Sequence, residues 1–202
     1  IGNPIAHSKS PTIQNAFAAQ TGHDMSYERL LAPLDGFRAT VERFAAEGGL
    51  GLNVTIPFKL EAFELATETT QRARLAGAVN TLKRIDGGWL ADNTDGAGLV
   101  RDLMHNHGIV VTGQAVAILG AGGAVRGILK PLLDAGAVSV AVSNRTMAKA
   151  EAIAAHFLRY GRVEAIAPEA FGERRHAIVI NATSLGMGGA AVDVFPFPGT
   201  IF

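Results

Sequence analysis

The segment Ala115–Val–Ala–Ile–Leu–Gly–Ala–Gly–Gly–Ala124 constrains the fold of this chain more than any other. An apolar run enters a glycine turn, and an apolar, helix-compatible stretch from Val125 to Ala135 follows. Strand, glycine turn and helix in that order form a site for a nucleotide diphosphate. The glycines let the backbone approach a pyrophosphate, and the first N–H groups of the helix face the anion. Val125 occupies the sixth position, so the strict G-x-G-x-x-G spacing is not met, and a tight structural turn is the competing interpretation.

The flanking pattern extends that start. Strand 114–119, helix 124–135, strand 138–143, helix 146–158, strand 163–166 and strand 177–181 are expected in succession, the progression of a doubly wound parallel sheet. The first half alternates too. Helix is expected from Pro11 to Thr21 with Ser10 as N-cap, then a strand at Ser26–Leu31 and a helix at Leu34–Glu47 closed by Gly48 and Gly49. A strand at Leu50–Ile56 stops at Pro57, and Lys59–Ala66 and Thr69–Ala76 suit helices. Val79–Ile85 and Trp89–Ala91 flank Asp86-Gly87-Gly88, a hairpin signal. Asp92 to Gly96 then caps a helix reaching about His107, with either Asp92 or Asp95 chemically suited as the cap.

The expected fold is α/β and two-lobed: an α/β lobe over 1–95, a connecting helix and linker over 96–113, and a Rossmann-like nucleotide lobe over 114–202. Ile1 to Ile5 reads as the exit of a strand, and Phe195 to Phe202 as a proline-rich loop, so a fragment of a longer protein is expected.

Lys+Arg and Asp+Glu are 18 each, so no net charge draws the chain to nucleic acid or a membrane surface. The absence of cysteine excludes disulfides and thiolate metal sites and suits a reducing cytoplasm. No apolar run reaches the roughly 18 residues a membrane span needs. His7, His105 and His107 lack companions at metal-ligand spacing, so no metal is expected.

The second strand of the nucleotide unit ends in Ser143–Asn–Arg–Thr–Met–Ala–Lys149. NAD-preferring sites place an acid there to hold the ribose hydroxyls. Here Arg145 and Lys149 supply cations and Thr146 a hydroxyl, which suits a ribose 2′-phosphate and hence NADP. The alternative makes Asn144 an N-cap and the cations ordinary solvated residues.

Gly2–Asn–Pro–Ile–Ala–His–Ser–Lys–Ser–Pro11, Asn53–Val–Thr–Ile–Pro–Phe–Lys59, Gly77–Ala–Val–Asn–Thr81, Asp92–Asn–Thr–Asp–Gly96, Gly120 to Ala124, Asn144 to Thr146 and Asn181 to Ser184 together resemble the shikimate dehydrogenase family. The resemblance implies reversible NADPH-dependent reduction of 3-dehydroshikimate to shikimate, on the route to chorismate and the aromatic amino acids. It implies Lys59 and Asp95 as the catalytic pair. Ser8 and Ser10 would bind the substrate carboxylate, and Thr55 and Asn80 the ring hydroxyls. Gly120, Ala121, Gly122, Gly123 and Ala124 would wrap the pyrophosphate. Asn144, Arg145, Thr146 and Lys149 would hold the adenosine phosphate, with Thr183 and Met187 alongside the nicotinamide.

A lysine at 149, where family members often carry a second arginine, keeps the charge but loses the planar fork. The family's C-terminal segment, with its glycine-rich turn and glutamine, is not in this sequence. Which of Lys59 and Asp95 transfers the proton stays open, as do an NAD-using quinate/shikimate dehydrogenase and a non-catalytic sensor domain of the same fold. Expected partners are the small-molecule substrate alone, with the protein cytoplasmic and a monomer or homodimer.

Overall fold

The structure is a computed structural model that describes residues 1–171 and 174–183. Its elements are α1 (Ser10–Thr21), α2 (Phe37–Ala46), β1 (Gly51–Asn53), α3 (Lys59–Leu65), β2 (Glu68–Thr69), α4 (Gln71–Ala76), β3 (Thr81–Ile85) and β4 (Gly88–Asp92). These are followed by α5 (Asp95–Arg101), β5 (Ala115–Leu119), α6 (Gly123–Asp134), β6 (Ser139–Ser143), α7 (Met147–Phe157), β7 (Val163–Ile166) and β8 (Ile178–Asn181). The chain divides into two compact units: Ile1–Thr70 with Val79–Asp92, and Gln71–Ala78 with Asn93–Phe202.

The first unit is built on a four-stranded sheet of order β1-β3-β4-β2. β3 and β4 form the expected hairpin, joined through Asp86 and Gly87, and Gly87 takes a φ of +81°. β1 pairs antiparallel with β3, and β2 pairs parallel with β4. Leu52, Val54, Phe58, Leu82 and Ala91 are buried in this unit, and Phe37 of α2 stacks on Phe58 with ring centroids 5.0 Å apart.

The second unit carries a fully parallel sheet of order β7-β6-β5-β8, half of a doubly wound arrangement. Both faces of its central strands are buried, which explains their unbroken apolar sequences. Val116 and Ile118 of β5 and Val140 and Val142 of β6 pack with Ile128, Leu129 and Leu132 of α6 and Ile153 and Phe157 of α7. Ala117, Leu119 and Ala141 face the other way, onto Ile166 and Phe171. Each fully buried large aliphatic side chain contributes about 1.5–3 kcal/mol.

Several local expectations change, among them the helix expected over Thr69–Ala76, which begins at Gln71 because Thr69 pairs with Ala91 in the sheet. Ser26–Leu31 forms no ladder: Leu31 makes a single bridge with Gly2, because Pro4 has no N–H and the chain turns at Ala6 and His7. The strand expected over Leu50–Ile56 pairs only at Gly51–Asn53, since Val54 N–H goes to Asn80 O (2.7 Å) and Thr55 N–H to Ile1 O (3.0 Å). Lys9, not Ser10, is the N-cap of α1; Ser10 lies in the first turn and donates its N–H to Ser8 Oγ at 3.2 Å. The helix after Asp95 ends in a π-helical turn, Asp102–Asn106, with His107 N–H bonded to Asp102 O at 3.1 Å.

Candidate functional site

In the first unit the carboxylate-binding candidates sit where α1 begins. Ser8 and Ser10 are half-buried and joined by the Ser10 N–H to Ser8 Oγ bond. Arg29 fixes the loop by donating through Nε and Nη2 to Ser8 O at 2.9 and 2.8 Å. Two serine hydroxyls beside the first turn of a twelve-residue helix are suited to an anion.

Thr55 follows β1 and accepts Phe58 N–H on its carbonyl at 3.0 Å, a turn that delivers the chain into α3. Lys59 is the first residue of α3 and half-buried, and its carbonyl accepts Val79 N–H at 2.9 Å. Asn80 lies one residue before β3; its N–H donates to Asp92 O at 3.1 Å and its carbonyl receives Val54 N–H. The sequence therefore brings Thr55, Lys59 and Asn80 to one end of the small sheet.

Sequence reasoning gave no role to Tyr27, Asn53 or Thr81, whose side chains form a line of hydrogen bonds that ends at Asn80. Tyr27 Oη donates to Asn53 Oδ1 at 2.8 Å, and Asn53 Nδ2 donates to Thr81 Oγ1 at 3.2 Å. Thr81 Oγ1 in turn donates to Asn80 Oδ1 at 3.0 Å. Burial pushes the Tyr27 phenol above its usual range, opposed by hydrogen bonds with Asn53 and Ser10. A polar asparagine ending a buried strand was the one available signal, and it pointed only to Asn53.

Asp95 belongs to the second unit, as the first residue of α5, and Thr94 is the N-cap. Its N–H donates to Oδ1 of buried Asn93 at 3.2 Å, while Asn93 Nδ2 donates to Ala78 O at 2.9 Å. Asp92 is not a helix cap. It ends β4 and accepts the Thr70 hydroxyl at 2.7 Å, because the strand register carries it past the hairpin into the sheet.

The remaining candidates within the described residues lie at the carboxyl ends of β5, β6 and β8, where open parallel sheets bind ligands. Gly120 leaves β5 with φ +111°, and a Cβ there would lie 2.8 Å from Ala182 O, so a side chain is doubly disfavoured. Its N–H donates to Ser143 O at 2.8 Å, joining the β5 and β6 tips. Ala121 and Gly122 lead into α6, whose N-cap Gly122 supplies no side-chain cap, and Gly123 and Ala124 form its first turn. Among the described residues a Cβ on Gly122 would meet nothing within 4 Å, which leaves space against the helix start. That space and those amides fit a pyrophosphate.

At the β6 tip Asn144 Nδ2 donates to Thr146 O at 3.0 Å, so Asn144 shapes the turn and Thr146 is the N-cap of α7. Arg145, Thr146 and Lys149 are exposed beside it, two cations and a hydroxyl suited to a phosphate monoester. Thr183 ends the described β8 tip, where its N–H and Oγ1 both donate to Asn181 Oδ1, at 3.0 and 2.7 Å. Met187 lies outside the described residues. Among the described residues no cluster of three or more His, Asp or Glu suits a metal ion, and no helix is long and apolar enough to cross a membrane.

A family described as shikimate dehydrogenase substrate binding domain matches residues 1–82, and one described as shikimate/quinate 5-dehydrogenase matches residues 103–185. The chain is 52% identical over 202 residues to the NADP(+) shikimate dehydrogenase of Chromobacterium violaceum, covering all of this chain and 73% of that relative. Its structure is similar to an Ael1 enzyme from Pseudomonas putida (TM-score 0.84, 44% identity), covering 98% of this chain and 71% of that one. It is also similar to the Thermus thermophilus shikimate 5-dehydrogenase in complex with NADP(H) and shikimate (TM-score 0.79, 33% identity), covering 92% of this chain and 67% of the other.

Proposed function

The chain belongs to the shikimate dehydrogenase family of NADP-dependent oxidoreductases, and we propose that it carries that activity through Lys59, Asp95 and the anion-binding residues at the start of α1. The observation that carries the cofactor assignment is the β6 tip, where Arg145, Thr146 and Lys149 stand together without an acid. An NAD-selective tip would set a carboxylate against the 2′-phosphate.

Gly120 to Ala124 with Asn144, Arg145, Thr146 and Lys149 would hold NADP, which when bound would supply or take up the hydride. The protein's own residues handle substrate and proton. Ser8 and Ser10 hold the ring carboxylate beside the α1 amides. Thr55 and Asn80 hold ring hydroxyls and so fix which face of the ring is presented. Reduction of the ketone leaves an alkoxide that must be protonated, and the Lys59 ammonium is the donor. In the reverse direction the neutral Lys59 amine takes the proton from the substrate hydroxyl. Asp95 is the second member of the catalytic pair and accepts a hydrogen bond from the reacting hydroxyl. Asn93 orients Asp95 by accepting its backbone N–H.

In cellular terms we place the protein in the cytoplasm as a monomer or homodimer. The lack of cysteine supports the compartment. The test of activity is shikimate-dependent reduction of NADP by the full-length protein, followed at the absorbance of NADPH. Saturable turnover with NADP and far weaker turnover with NAD is expected; equal use of both cofactors, or none, would refute the assignment.

A further inference from the structure

Three side-chain hydrogen bonds in the first unit run head to tail, and the phenol at the head and the Asn80 backbone carbonyl both favour one direction. We propose that Tyr27 is a positioning residue which, through Asn53 and Thr81, sets which end of the Asn80 amide is offered to the substrate. The proposal rests on the assignment of Asn80 to a ring hydroxyl.

A phenol has one proton to give. Tyr27 gives it to Asn53 Oδ1 at 2.8 Å, which fixes the Asn53 amide with Nδ2 on the opposite side. That Nδ2 donates to Thr81 Oγ1 at 3.2 Å and reaches Asn80 O at 3.4 Å. Having accepted, the Thr81 hydroxyl points its only proton to Asn80 Oδ1 at 3.0 Å. The Asn80 carbonyl end is thereby engaged as an acceptor, and its NH₂ end is the donor end of the relay. Each bond polarises the next, so the line is stiffer than its separate links.

The backbone holds both ends of this line. Asn53 and Thr81 are register partners in the β1–β3 ladder. Tyr27 is tied to α1 by its N–H donating to Asn15 Oδ1 at 3.1 Å and by Asn15 Nδ2 donating to its carbonyl at 3.4 Å. Burial raises the phenol above its ordinary range, so it remains a donor at every neutral or mildly basic assay pH. Without that proton the Asn53 amide loses one of the two bonds that orient it and keeps the longer one, from Nδ2 to Asn80 O at 3.4 Å, so the line from Asn53 through Thr81 to Asn80 is held less firmly.

The test compares Tyr27→Phe, Asn80→Ala and the double variant in the full-length protein. Tyr27→Phe keeps the ring, so the fold is retained. It should raise the KM for shikimate about fivefold, the size of one hydrogen bond, with less change in kcat, in the KM for NADP and in Tm. The double variant should have the shikimate KM of Asn80→Ala alone. An unchanged shikimate KM in Tyr27→Phe overturns the proposal, as do losses that multiply in the double variant. A parallel rise in both KM values with a fall in Tm would mark Tyr27 as a packing residue and overturn it too. If Asn80→Ala itself leaves the shikimate KM unchanged, the site assignment fails, an outcome distinct from failure of the relay.

Discussion

Gly127 of α6 lies so close to Asn93 that a Cβ on the glycine would stand 2.6 Å from Asn93 Oδ1. Asn93 has no room to give. It is buried, donates to Ala78 O and accepts the Asp95 N–H. The helix whose first turn faces the proposed pyrophosphate is therefore keyed to the residue that orients Asp95.

Gly127→Ala should lower stability by about 1–3 kcal/mol, the usual cost of forcing a methyl into a packed contact. It should also reduce kcat, because the Asn93 to Asp95 hydrogen bond must shift. Thermal melts and steady-state kinetics on one preparation would check both. An unchanged kcat would show that Asp95 is held without Asn93.

Arg145→Ala should weaken NADP selectively. A charge-assisted hydrogen bond is worth about 1.5–3 kcal/mol, so the KM for NADP should rise roughly 10- to 100-fold while that for NAD barely moves. Equal losses with the two cofactors would remove Arg145 from the phosphate site. Lys149→Ala should have a smaller effect in the same direction, since an ammonium lacks the guanidinium's fork.

Parallel strands buried on both faces leave unbroken apolar sequences, which is why β5, α6, β6, α7 and β7 were legible to within a residue or two. The first half was harder. Ser26–Leu31 has strand-like residues, but among the described residues its β-pairing is one bridge, from Leu31 to Gly2, and composition does not reveal whether a neighbour exists to complete a ladder. The site divides in a similar way. Motifs flagged Ser8, Ser10, Lys59, Asn80 and Asp95. Tyr27 and Thr81 stayed hidden because their importance lies in hydrogen bonds to Asn53, 26 and 28 residues away in sequence. Asn93 sat inside a recognised motif, yet its role depends on the close approach of α6.

Lys59→Ala should remove turnover while sparing substrate affinity. Loss of a general acid costs about 10²- to 10⁴-fold in rate. The dissociation constant for shikimate, measured by equilibrium binding to the full-length protein, should change far less than kcat. A kcat within tenfold of the parent would transfer the proton-handling role to Asp95.

His176 gives the second unit a built-in sensitivity to acid. Both ring nitrogens are buried and have no hydrogen-bond partner among the described residues, and the ring packs on Phe171 with centroids 5.6 Å apart. Burial lowers its pKa below the ordinary value of 6.5, and the neighbouring Arg174 cation lowers it further, while Glu164 opposes them. Arg174 is itself paired with Glu164 at 2.6 Å, which limits that opposition. Between the folded pKa and 6.5 the unfolded chain binds more protons than the native one, so stability rises with pH across this window. The His176 contribution is thus fully present above the unfolded value and is lost as pH falls through the folded one. Melts between about pH 8 and pH 5 should show a decline that His176→Leu flattens, since leucine has no proton to take up on unfolding. Parallel curves for the two proteins would place the acid sensitivity elsewhere.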